Sequence, residues 1–86
     1  MPNKRELEDN LNKVFDCKDI HVHEVRDVDG AKLTQLLITN SNFSLRMRCV
    51  KKNGYVFYPN VTLPKMSMTN LGKAIGYVEE YFDERG

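Results

Sequence analysis

The feature that most constrains this chain is a series of three turn signals set into a run of alternating hydropathy. Between Ile20 and Leu63 apolar and polar side chains exchange places at a period of two, the pattern of strands with one buried face. Asp29-Gly30 interrupts the first pair of runs, TNSNF (Thr39 to Phe43) the second, and Asn53-Gly54 the third. Asp-Gly and Asn-Gly suit a two-residue type I′ turn, in which both central residues take positive φ and the turn twists with its strands. Three such turns in succession predict a four-stranded antiparallel meander over residues 20–63. The first turn sets Val28 opposite Ala31 and Arg26 opposite Leu33. The second, with an even loop, sets Ile38 opposite Phe43 and Leu36 opposite Leu45. The third sets Lys52 opposite Tyr55, Val50 opposite Phe57 and Arg48 opposite Pro59. One residue more or less in the middle loop would turn the later strands over relative to the earlier ones.

Helical spacing flanks the sheet. Residues 1–16 read as a leading helix, with Asn3 as cap, Glu6 as its capping-box partner, and Leu7, Leu11, Val14 and Phe15 on one stripe. Val61 and Leu63 read as extended, and Pro64 breaks the strand. Residues 67–84 then read as a second helix, capped by Ser67 or Thr69 and ended by Gly86. Its buried stripe is Met68, Leu71, Ile75, Val78 and Phe82. The fold class is α+β: an N-terminal helix, a four-stranded antiparallel meander, and a C-terminal helix packed on one sheet face. All 86 residues form one domain. A domain of this size buries only roughly 60% of its unfolded surface, so a homodimer would add useful buried area.

Opposed residues share a face, and successive residues alternate. The expected core face collects Val25, Leu36, Ile38, Phe43, Leu45, Met47, Cys49, Val56 and Tyr58. The other face collects Gln35, Arg46, Arg48, Val50, Lys52, Tyr55 and Phe57, with Arg26 and Leu33 beside them. Thirteen Lys and Arg against twelve Asp and Glu leave a formal net charge of +1, which argues against simple coating of duplex DNA by charge. The distribution is uneven. Acids gather at both ends, whereas Arg46 to Lys73 holds Arg46, Arg48, Lys51, Lys52, Lys65 and Lys73 with no Asp or Glu. Basic side chains neutralise phosphates, and flat aromatics stack on unpaired bases. The face therefore suits single-stranded DNA or RNA. The plainer reading is a solvated sheet back whose aromatics pack across strands or in some other interface.

The segments LRMRCVKKNGYVFYPNVTLP and MTNLGKAIGYVEEYF carry a family resemblance. Four antiparallel strands, a basic third strand and a closing helix resemble the transcriptional positive-coactivator family of single-stranded DNA-binding domains, over Ile20 to about Phe82. The resemblance implies a curved sheet that grips unpaired strands and helices that join two chains. It places Arg46, Arg48, Lys51, Lys52, Tyr55 and Phe57 on the binding hairpin. The chain departs from that family in its leading helix, its lower basicity, and Pro59-Asn60 where the family carries a lysine-glycine pair.

Other constellations point to less. Cys17, His21 and His23 lack a fourth ligand at comfortable spacing, so neither a metal nor any other cofactor is expected. No thiol sits with a histidine and an orienting acid, and no glycine-rich phosphate loop exists, so the protein reads as non-enzymatic. Two cysteines are too few for a disulfide framework. They read as free thiols of a reducing interior, which suits a cytoplasmic protein, nucleoid- or nucleus-associated if it binds DNA. The NFS and NVT sequences at Asn42 and Asn60 match a glycosylation pattern that this compartment would leave unused. No apolar run approaches the length of a membrane span. Gly72 and Gly76 lie one helical turn apart and clear one face, for a dimer contact or for close packing on the chain's own sheet. The competing function is a protein-interaction module, a virus- or phage-type regulator that docks on a larger host protein through the same sheet face.

Overall fold

Asn3 opens the first helix as its sequence requires: the side-chain oxygen accepts the Glu6 N–H at 2.9 Å, satisfying one of the four donors a helix start leaves over. The computed structural model describes residues 3–30, 32–41, 45–63 and 68–85. Helix α1 spans Lys4–Phe15, and Asp16 ends it in the left-handed region at φ 53°. Strands β1 (His21–Arg26), β2 (Leu33–Asn40), β3 (Leu45–Lys52) and β4 (Tyr55–Phe57) form the antiparallel meander in that order. A short β5 (Val61–Thr62) also pairs with β3, and α2 spans Met68–Arg85.

Two helix side chains seal the β1 edge of the sheet. Glu8 accepts the Val22 N–H at 2.8 Å, and Asn12, one turn on, accepts the Ile20 N–H at 3.0 Å. These bonds satisfy edge donors that would otherwise invite another strand. Both helices lie on one side of the sheet. Leu7 and Leu11 of α1, Val22, Leu36, Ile38, Met47 and Cys49 of the strands, and Ala74, Val78, Tyr81 and Phe82 of α2 form one buried cluster. Each large apolar side chain so buried contributes about 1.5–3 kcal/mol of transfer free energy.

The three turns differ in how closely register follows sequence. Asn53 (φ 55°) and Gly54 (φ 81°) both take positive φ, and Lys52 faces Tyr55 and Val50 faces Phe57 as that turn predicts. Across the middle loop Leu36 faces Cys49 and Ile38 faces Met47, four residues beyond the expected partners. Four is even, so every side chain keeps its face. The first hairpin contains a bulge: Arg26 faces Leu33, but Val25 faces Gln35, which leaves Thr34 as the extra residue on β2. The Thr34 hydroxyl donates to the Val25 carbonyl at 2.8 Å. A bulge turns the alternation over. Val25 accordingly leaves the expected core and is 38% exposed on the outer face, whereas Leu33 turns into the core.

Beyond Phe57 the ladder slips by one. Arg46 faces Thr62 and Met47 faces Val61, and the Arg48 N–H donates to the Asn60 carbonyl at 3.4 Å, not to Pro59. In α2 the buried stripe runs through Ala74, Val78, Tyr81 and Phe82, with Leu71 packed beside it, while Met68 is 81% exposed. Met68 is the first residue of the helix, and near its other end the Tyr81 hydroxyl donates to the Glu24 carboxylate. Thr69 lies within the first turn and is not the cap. Ala31, Phe43, Pro64, Lys65, Ser67 and Gly86 fall outside the described residues. Among those described, no helix is long and apolar enough to cross a membrane.

Candidate nucleic-acid interface

The face turned away from the helices is built in cross-strand rows. His21 faces Thr39, which faces Arg46, which faces Thr62. His23 faces Leu37, which faces Arg48. Val25 faces Gln35, which faces Val50, which faces Phe57, and Lys52 faces Tyr55 at the hairpin end. Tyr55 is 69% and Phe57 46% exposed. Both rings stand on a strand whose register is set by the Asn53-Gly54 turn. Arg46 and Lys52 lie six residues apart along β3, about 20 Å at the rise of an extended strand.

Charge separates cleanly between the two faces. No carboxylate occurs from Gly30 through Val78, so β2, β3, β4 and β5 carry none. The only acid in β1 is Glu24, which faces Leu36 on the helix side and accepts from Tyr81 and, at 3.1 Å, from Arg26. Burial works to raise the Glu24 carboxyl, but the bonds from Tyr81 and Arg26 and the charges of Arg26 and Arg85 outweigh it. The group is held below its ordinary value. Among the described residues the outer face is thus cationic with no acid to neutralise it, the condition under which a polyanion gains most from contact.

Two of the expected contacts are not on this face. Across from the β2 bulge Arg26 falls on the helix side, where it pairs with Glu24. Lys51 alternates away from its neighbours and bonds Asp83 of α2. Arg46, Arg48, Lys52, Tyr55 and Phe57 are brought together. His21 and His23 join them, exposed and in line with Arg46 and Arg48. The period-two spacing of the histidines showed that they share a face; which face depended on a bulge the sequence does not announce.

The face is hollowed: a trough of about 490 Å³ is lined by Val25, Gln35, Leu37, Arg46, Arg48, Asn60 and Thr62. The Arg48 Nε donates to Gln35 Oε1 at 2.6 Å. Toward the hairpin a second hollow of about 380 Å³ is lined by Val50, Lys52, Phe57, Tyr58 and Pro59.

Away from this face, Cys49 is fully buried and desolvation pushes its thiol up to about 12, which leaves it unreactive. Among the described residues no group of three or more His, Cys, Asp or Glu side chains could hold a metal. Gly72 and Gly76 lie exposed on α2, and nothing comes within 4 Å of a Cβ built at either. Close packing on the chain's own sheet therefore does not account for them. No family model, curated protein or solved structure matches this chain.

Proposed function

We propose that this protein is a small, non-enzymatic single-stranded nucleic-acid-binding protein acting in transcription or replication. One observation carries the reading: a hollowed sheet face that bears Arg46, Arg48, Lys52, Tyr55 and Phe57 and no carboxylate. Basic groups neutralise the backbone, and exposed rings accept unpaired bases, each stack worth about 1–3 kcal/mol. Duplex bases are already stacked, so open strands gain more. The resemblance to the positive-coactivator family supports the same reading. A homodimer through the cleared Gly72 and Gly76 face of α2 would double the cationic surface, and Gly72→Leu/Gly76→Leu should then sediment as a monomer.

The test is fluorescence anisotropy with labelled single- and double-stranded oligonucleotides at low and moderate salt. Arg46→Ala/Tyr55→Ala should weaken single-strand binding about a hundredfold, with circular dichroism unchanged. Equal binding by the double variant would sink the proposal. The apolar share of the face (Val25, Leu37, Val50 and Phe57) and the net charge of +1 favour a second reading, a module or phage-type regulator that docks on a larger protein. Its signature is no binding to any oligonucleotide.

A further inference from the structure

The trough at the centre of the outer face has a one-sided chemistry. Arg48 carries donors only, so the oxygen end of the Gln35 carboxamide is committed to the Arg48 Nε at 2.6 Å. What Gln35 then presents is chiefly its amide NH₂, two donors against the one lone pair left on Oε1. Beside it stand the terminal N–H groups of Arg48, which make no hydrogen bond or ion pair to another described residue. The part of the trough wall formed by Gln35 and Arg48 is therefore rich in donors, and Val25 and Leu37 add apolar surface. Asn60 and Thr62, also in the lining, carry an amide and a hydroxyl that can both give and accept. The trough volume of about 490 Å³ lies in the range of small-ligand sites.

We propose that this trough holds one unstacked base of the bound strand and selects guanine. This rests on the nucleic-acid reading and adds base specificity at one position to it. Guanine presents two neighbouring acceptors, O6 and N7, which match paired donors from a guanidinium and an amide. Its bicyclic ring covers the Val25 and Leu37 surface, and Asn60 and Thr62 meet its remaining donors. Arg46, also in the lining, takes the adjoining phosphate. Adenine sets its N6 donor against the donor wall, which leaves polar groups unpaired. Thymine has a single acceptor toward that wall. Cytosine has an adjacent acceptor pair, N3 and O2, but a smaller ring on the apolar surface, so it ranks second.

The experiment uses short thymidine oligonucleotides with one central guanine, cytosine, adenine or thymine, measured by anisotropy at fixed salt. The guanine oligonucleotide should bind about tenfold more tightly than the adenine one. Gln35→Leu should reduce that preference to about twofold or less, with binding to the thymidine host largely retained, and the charge-preserving Arg48→Lys should reduce it likewise, together with some loss of binding to the thymidine host. Equal binding of all four oligonucleotides by the unmodified protein overturns the base pocket and leaves the nucleic-acid reading standing. A guanine preference that survives both variants also overturns it, because the donor wall is then not its source. Binding to none of the four overturns both proposals together.

Discussion

Lys51 and Lys52 are neighbours in the sequence and meet opposite fates. Lys51 points to the helix side and bonds Asp83 of α2, whereas Lys52 stands on the outer face beside Tyr55. The same contrast separates Arg26, paired with Glu24, from Arg46, which makes no ion pair with another described residue. Every strand on this sheet supplies both faces in alternation, so the difference does not lie in strand composition. It comes from where the acids are: on the helices, in the loops, and at one inward position of β1. The helix side neutralises whatever cation reaches it. The outer side keeps its charge for a partner.

The comparison can be broken first at the core. Leu36→Ala should cost about 2–5 kcal/mol in urea denaturation, since it empties a fully buried site. Leu37→Ala, one residue along and on the outer face, should cost well under half of that. If the two substitutions were equal, the faces would not be distinct. Next comes Glu24, where Glu24→Gln should cost about 1–3 kcal/mol by disrupting a partly buried, charge-assisted network. Because the folded-state carboxyl sits below its unfolded value, its contribution is full above the unfolded glutamate pKa of about 4.3 and is lost as pH falls through the folded value. Melting temperature should therefore drop on acidification below about pH 5. That drop should be shallower in Glu24→Gln, with Asp19, held low first by the Ser41 hydroxyl, supplying part of what remains.

A finer test compares arginines. Arg46→Ala should weaken single-strand binding about tenfold and flatten its salt dependence, whereas Arg26→Ala should leave both unchanged. The smallest effect is at the adjacent lysines. Lys51→Ala should cost about 0.2–1 kcal/mol of stability, the range of an exposed ion pair, and leave binding intact. Lys52→Ala should do the reverse. Thermal melts and anisotropy on the four variants check all of this.

Much of the sheet was legible because its signals are local. Asn53-Gly54 sets the register of β3 and β4 through its own φ values, and Asn3 caps α1 through a bond three residues away. The middle loop shows a different kind of robustness: its register moved by four residues, yet evenness kept Arg46 and Arg48 outward. The bulge at Thr34 was not legible, and it moved Val25 outward and Leu33 and Arg26 inward. A second signal was within reach: the absence of acids runs from Gly30 through Val78, not only from Arg46 to Lys73. That longer span covers four of the five strands.

Element types, the meander and the cationic character of its central strands follow from the order of residues alone, because periodicity, turn residues and charge act over a few positions. Which cations stay free was decided only by tertiary packing. Asp83 reaches Lys51 because α2 lies along one side of the sheet, and the bulge sets Glu24 and Arg26, two apart on β1, on that same side. The trough under Arg48 likewise needs Val25, Gln35 and Asn60, residues far apart in the chain that meet only when the strands pair. Local chemistry writes a strand's alternation; the packed helices and the bulge decide which side of it faces water.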